Sequence, residues 1–108
     1  MMLEGKVAMI TGAGAGIGVE IAKRYVAEGA KICITGRNQE RLDKTVSLLP
    51  PGTAVTCAGD VSKLDDAKKM VEATVAFGGK IDILVNNAAI DPGGSVVDLD
   101  PDVWHAVI

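Results

Sequence analysis

The stretch Thr11-Gly12-Ala13-Gly14-Ala15-Gly16-Ile17-Gly18 sets glycines at alternate positions directly after the apolar run Val7-Ala8-Met9-Ile10. Glycine lets a backbone approach a ligand closely and turn through angles that a Cβ resists. A glycine-rich turn that leads from a strand into a helix offers unpaired amides and the positive end of the helix dipole, a combination that holds anions, phosphate above all. Two versions of such a turn are excluded by the spacing. A Gly-x-Gly-x-x-Gly fingerprint needs glycine at position 17 or 19, where Ile17 and Val19 stand, and no Lys-Ser or Lys-Thr follows to make a nucleoside-triphosphate loop.

Other chemistry-bearing residues are sparse. Tyr25 is followed four residues later by Gly29 and lies on an apolar stripe, which assigns it to the core. His105, beside Trp104, has no serine, cysteine or carboxylate pattern around it to build a triad, and reads as a surface histidine. Cys33 and Cys57 sit far apart in apolar runs without a CxxC or Cys/His cluster, as reduced buried thiols do, so no metal site is expected. No residue of the chain is assigned a catalytic role.

The elements that must position the glycine turn follow from periodicity. Val7 to Thr11 is a continuous apolar run, the mark of a strand buried on both faces. Ile17, Ile21, Ala22, Tyr25 and Val26 form the stripe of a first helix that Gly29 ends. Lys31–Thr35 is a second strand, and Asn38 caps a second helix with Leu42, Val46 and Leu49 on one side, stopped by Pro50-Pro51-Gly52. Ala54–Ala58 is a third strand. Ser62 with Asp65 resembles a capping box for a third helix, whose stripe is Leu64, Ala67, Val71 and Val75 and whose end is Gly78-Gly79. Ile81–Val85 is a fourth strand, and Asp100-Pro101 begins a fourth helix carrying Val103, Trp104, Val107 and Ile108.

Strand–helix alternation with short loops predicts an α/β fold, a doubly wound parallel sheet of the Rossmann type with helices on both faces. With 108 residues and 48% hydrophobic content, the chain is one domain without a linker. Eleven basic against 14 acidic residues give a net charge of −3, so no basic patch recruits nucleic acid or an anionic membrane. No basic leader or membrane-length apolar segment is present, and a cytoplasmic location is expected.

The segment Thr-Gly-x-x-x-Gly-Ile-Gly at residues 11–18, Asp60-Val61 after the third strand and Asn86-Asn87-Ala88-Ala89 after the fourth stand in an order that resembles the short-chain dehydrogenase/reductase family. The resemblance implies the first four βα units of a longer NAD(P)-binding fold, truncated before its catalytic half. It also implies an NAD(P)-dependent oxidoreductase that interconverts an alcohol and a carbonyl on a small-molecule substrate, and a dimer or tetramer at full length. The alternative is a non-catalytic dinucleotide-binding module.

By that resemblance the glycine turn, with Gly12, Gly14, Ala15, Gly16, Ile17 and Gly18, faces the cofactor, and Gly12, Gly16 and Gly18 line its pyrophosphate. Asp60 and Val61 flank the adenine ring, and Asn87 and Ala88 lie beside the nicotinamide-side ribose. Ala89 is grouped with them, though the family usually shows glycine there. Asn86 is assigned mainly a structural role, tying a strand end to its neighbour. The family's Tyr-x-x-x-Lys pair falls outside these 108 residues. The end of the second strand reads Thr35-Gly36-Arg37-Asn38, with no carboxylate for the ribose hydroxyls. Arg37 offers a planar donor fork to a 2′-phosphate, which favours NADP, with NAD as the alternative.

Overall fold

The structure is a computed structural model, and it describes residues 2–14 and 16–86. β1 (Val7–Thr11), α1 (Ile17–Ala27), β2 (Lys31–Gly36), α2 (Gln39–Ser47), β3 (Ala54–Ala58), α3 (Leu64–Gly78) and β4 (Ile83–Asn86) follow one another along the chain. The four strands form one parallel sheet in the order β3-β2-β1-β4. The strand order therefore reverses beside β1, and in an open α/β sheet ligands bind outside the carboxyl ends of the strands at such a switch point.

The pleat of the sheet divides the core into two layers. Ala8, Ile10, Ile32, Ile34, Ile83 and Val85 pack with Ala22 and Val26 of α1 and with Leu42 and Leu49 beside α2. Met9 and Leu84 point to the opposite face and meet Met70, Val71 and Cys57. The helices thus cover both faces, as parallel strands require.

The helix ends follow local chemistry. The Asn38 side chain accepts from the Arg41 amide and caps α2. Gly29 and Gly79 carry positive φ after α1 and α3, where left-handed backbone closes a helix. At the start of α3 the structure overturns the Ser62–Asp65 capping box. The capping position is Lys63, whose side chain makes no capping bond, and the Ser62 hydroxyl donates instead to Asp60 Oδ1 at 2.6 Å.

Two buried faces and one boundary also differ from the sequence reading. The buried face of α3 is Ala67, Met70 and Thr74, whereas Leu64 and Val75 are 54% and 42% exposed. In α1, Ile17 is 71% exposed and Tyr25 only partly buried against the core, so the stripe that faces the sheet is Gly18, Ala22 and Val26. β4 runs from Ile83 to Asn86, and Asp82 just before it meets Val7 twice, its amide donating to Val7 O at 2.8 Å and its carboxylate accepting the Val7 amide at 2.9 Å, across the entrance of the sheet. Cys33 is buried, but Cys57, on the outermost strand, is only half-buried.

Candidate functional site

The carboxyl ends of all four parallel strands open on one edge of the sheet, and Gly12, Gly14, Gly16, Arg37 and Asp60 follow β1, β2 and β3 there. Gly12 follows β1 with φ at 68°, and Gly16 precedes α1 with φ at 59° and ψ at −130°. Backbone of that kind is essentially glycine's alone. A Cβ built on Gly16 would meet nothing within 4 Å, so its missing side chain leaves open space beside the helix entrance. A side chain at position 16 would therefore not collide with the strand beneath. No side chain caps α1; the Val19 amide of its first turn donates back to Gly16 O at 3.2 Å, and the earlier amides of a helix start have no partner within the helix.

The front of the turn is held from below. Ala13 is wholly buried; its amide donates to Thr35 O of β2 at 3.1 Å, and its carbonyl accepts from Thr45 Oγ1 of α2 at 3.0 Å. Gly14 lies against α2, where a Cβ would stand 3.2 Å from Arg41 Cβ. Gly18 is buried in the first turn of α1, and Ile17 projects outward beside Ile21 and Tyr25 on an open apolar surface.

Next to the turn, β2 ends at Gly36 and delivers Arg37 to the surface, 79% exposed along its side chain. Gly36 O accepts the Gly59 amide at 2.8 Å, which ties the end of β2 to the turn after β3. Asp60 sits in that turn. Its Oδ1 accepts from the Ser62 amide at 2.9 Å and the Ser62 hydroxyl, and Arg37 Nη2 lies 3.4 Å from the same oxygen. The Ser62 hydroxyl and amide hold the Asp60 carboxyl below its ordinary value; Arg37 and Lys63 add to this, and burial opposes it. The sequence reading found no carboxylate at the end of β2, and the fold brings Asp60 from the turn after β3 to the side of Arg37.

Asp66 and Thr45 escaped the sequence reading. Asp66 Oδ2 accepts the Asp60 amide at 2.9 Å, close packing that Gly59 permits because a Cβ there would stand 3.2 Å from the Asp66 carboxyl. The signal for Thr45 was present in the pattern: it falls three residues after Leu42 on the buried side of α2, a polar residue in an apolar stripe. At the other side of β1, Thr11 Oγ1 donates to Asn86 Oδ1 at 3.2 Å and lies 3.3 Å from Val85 O, so Asn86 ties β4 to β1. Val61 packs on the Met9–Met70–Leu84 layer below Asp60. Ala15, Asn87, Ala88 and Ala89, and with them Trp104, His105 and the helix expected at Pro101, lie outside the described residues.

Burial pushes the Tyr25 hydroxyl and the Cys33 and Cys57 thiols up, away from the range in which any of them would act as a base or nucleophile at neutral pH. Among the described residues no His, Cys, Asp and Glu cluster could hold a metal ion, and no helix is long and apolar enough to cross a membrane.

Comparison with known proteins bears on this geometry. The family model described as short chain dehydrogenase matches residues 6–108. The peroxisomal 2,4-dienoyl-CoA reductase of Arabidopsis thaliana is 43% identical over 109 residues, which cover 99% of this chain and 37% of that protein. A short chain dehydrogenase from Bacillus anthracis superposes with a TM-score of 0.77 at 37% identity over 85% of this chain and 43% of its own. The 3-ketoacyl-(acyl-carrier-protein) reductase from Brucella melitensis, solved with NADH, superposes with a TM-score of 0.74 at 37% identity, covering 85% of this chain and 42% of its own. The chain thus spans about two fifths of the length of these relatives.

Proposed function

The chain belongs to the short-chain dehydrogenase family, and from that premise we propose that it supplies most of the cofactor site of an NAD(P)-dependent oxidoreductase interconverting an alcohol and a carbonyl. The observation that carries the reading is the glycine turn at the sheet's switch point. Gly16 holds a glycine-only conformation with open space where a Cβ would stand, next to a helix whose first turn no side chain caps. A dinucleotide pyrophosphate suits this donor set, because it needs amides that can be approached closely and gains from the helix dipole. Gly12, Gly16 and Gly18, with Gly14, Ala15 and Ile17 in the same turn, would hold it.

Asp60 and Val61 would border the adenine, and Asn87, Ala88 and Ala89 would border the nicotinamide-side ribose. Arg37 would meet the 2′-phosphate of NADP, the cofactor favoured over NAD because β2 ends without an acid of its own. The nicotinamide, when bound, supplies the hydride chemistry. The part of these residues is to fix the dinucleotide's position and, at Arg37, to select its ribose. The names of the relatives, reductases and dehydrogenases, support an enzyme over a purely binding module. Action on a small-molecule alcohol or carbonyl, a dimeric or tetrameric assembly, and a cytoplasmic location complete the reading.

Titration calorimetry of the full chain with NADPH and NADH tests it. Saturable binding of both, tighter for NADPH, is expected, and absence of binding by a folded protein would remove the reading.

A further inference from the structure

Two buried threonines make the same bond within their own helices. Thr45 Oγ1 donates to Arg41 O at 3.0 Å in α2, and Thr74 Oγ1 to Met70 O at 2.8 Å in α3. Such a bond to the carbonyl four residues earlier is ordinary for a helical threonine. Each has a second contact, and the two differ in where it leads: Thr74 meets the Cys33 thiol of β2 in the core, whereas the Thr45 hydroxyl reaches Ala13 O at 3.0 Å, in the glycine turn and 32 residues away. A hydroxyl carries one proton, so the two carbonyls share it. Thr45 is 2% exposed and Ala13 wholly buried, so no water competes for that carbonyl.

The consequence lies in the peptide plane. The Ala13 amide is already taken by Thr35 O at 3.1 Å. With the Ala13 carbonyl turned to Thr45, both peptide units flanking Ala13 are fixed. A trans peptide points its N–H opposite to its C=O. The Gly14 amide is therefore directed away from α2, on the side of the turn opposite to the supporting helix. Arg41 Cβ and Leu42 Cδ2, 3.2 and 3.9 Å from where a Gly14 Cβ would stand, hold α2 against the turn at the same place.

We propose that Thr45 is a positioning residue for the dinucleotide turn: through the Ala13 carbonyl it sets the orientation of the turn's amides before any cofactor arrives. The proposal rests on the cofactor reading above. Because the pyrophosphate is common to both cofactors, the effect of Thr45 is common to NADPH and NADH, unlike that of Arg37 at the ribose.

The test is calorimetric titration of the full chain and three variants with NADPH and NADH. Thr45→Val keeps the shape and deletes the hydroxyl, and it should weaken both cofactors equally, by about tenfold, the scale of one lost hydrogen bond. Thr45→Ser should restore both. Thr74→Val deletes the matching intrahelical bond on the other face of the sheet, and should leave both affinities within about twofold of the parent despite a similar drop in melting temperature. Unchanged affinity in Thr45→Val, no restoration by Thr45→Ser, or an equal loss in Thr74→Val would each overturn the proposal with the cofactor reading intact. A parent chain that binds neither cofactor overturns that reading, and the proposal with it.

Discussion

Arg37 Nη2 stands 3.4 Å from Asp60 Oδ1, joining the residue after β2 to the turn after β3 across the mouth of the candidate site. The contact is single-pronged and the arginine is 79% exposed, so it resembles the surface pairs that contribute little and exchange readily. Its value is geometric. It keeps the guanidinium at the sheet edge, where a phosphate with better charge and a bidentate geometry can displace the carboxylate.

Arg37→Ala is expected to weaken NADPH by about 1.5–3 kcal/mol, the range for a hydrogen bond to a charged group. NADH, which lacks the 2′-phosphate, should lose much less. Raising the ionic strength should narrow the gap between the two cofactors in the parent protein and not in the variant. Calorimetry with both cofactors at two salt concentrations checks this, and equal losses for NADH and NADPH would discard the phosphate role of Arg37.

Gly16→Val separates conformational strain from steric exclusion. Among the described residues no atom stands within 4 Å of a Cβ there, but a φ of 59° with a ψ of −130° is hostile to a β-branched residue. The variant should lose about 1–3 kcal/mol of stability. Its cofactor affinity should fall by a further few kcal/mol, because several amide contacts depend on close approach. Chemical denaturation paired with cofactor titration measures the two terms separately, and undiminished binding in the folded variant would refute the site.

Asp82 gives the fold a pH dependence whose sign can be worked out. Burial works to raise its carboxyl, but the bond from the Val7 amide and the pairing with Lys80 Nζ at 3.0 Å outweigh it and hold the group below its ordinary 3.8. A carboxyl depressed on folding stabilises the protein fully above its unfolded value and ceases to do so as pH falls through the folded one. The melting temperature of the parent should therefore exceed that of Asp82→Asn at neutral pH, and the difference should shrink as pH drops below 3.8. No difference at any pH would show that the amide bond to Val7, which asparagine can still accept, is the whole effect.

Strand positions and the glycine turn were legible in the sequence because they rest on local signals: continuous apolar runs for β1 to β3, Asn38 at a helix start, glycines at the ends of α1 and α3. What the sequence concealed depends on tertiary geometry. Ile17 and Val75 share a helical period with core residues, yet only the placement of each helix on the sheet decides which 3.6-residue face is buried. Ser62 carries a capping chemistry that Asp60 claims first, and pattern alone does not rank two acceptors. Arg37 and Asp60 are 23 residues apart and meet only because β2 and β3 are neighbours in the sheet.

A comparison of two glycines tests how far the positive-φ turns are fixed by backbone angle and how far by packing. A Cβ on Gly52, where φ is 79°, would meet nothing within 4 Å, so Gly52→Ala bears only the cost of left-handed backbone, about 1–2 kcal/mol. Gly29, with φ at 96°, bears the same cost and a second one: its Cβ would stand 2.9 Å from Glu4 Cα and 3.1 Å from Glu4 N. Those atoms belong to backbone that the Leu3 amide bonds to Glu28 O at 2.8 Å, and a backbone held in this way cannot swing aside as a side chain would. Gly29→Ala should therefore cost at least about 1 kcal/mol more than Gly52→Ala, the size of an overpacking penalty. Urea denaturation should show the larger fall in midpoint for Gly29→Ala, with equal slopes because both variants bury the same surface. Equal midpoints would mean that the segment before β1 yields, and that the end of α1 is held by conformation alone.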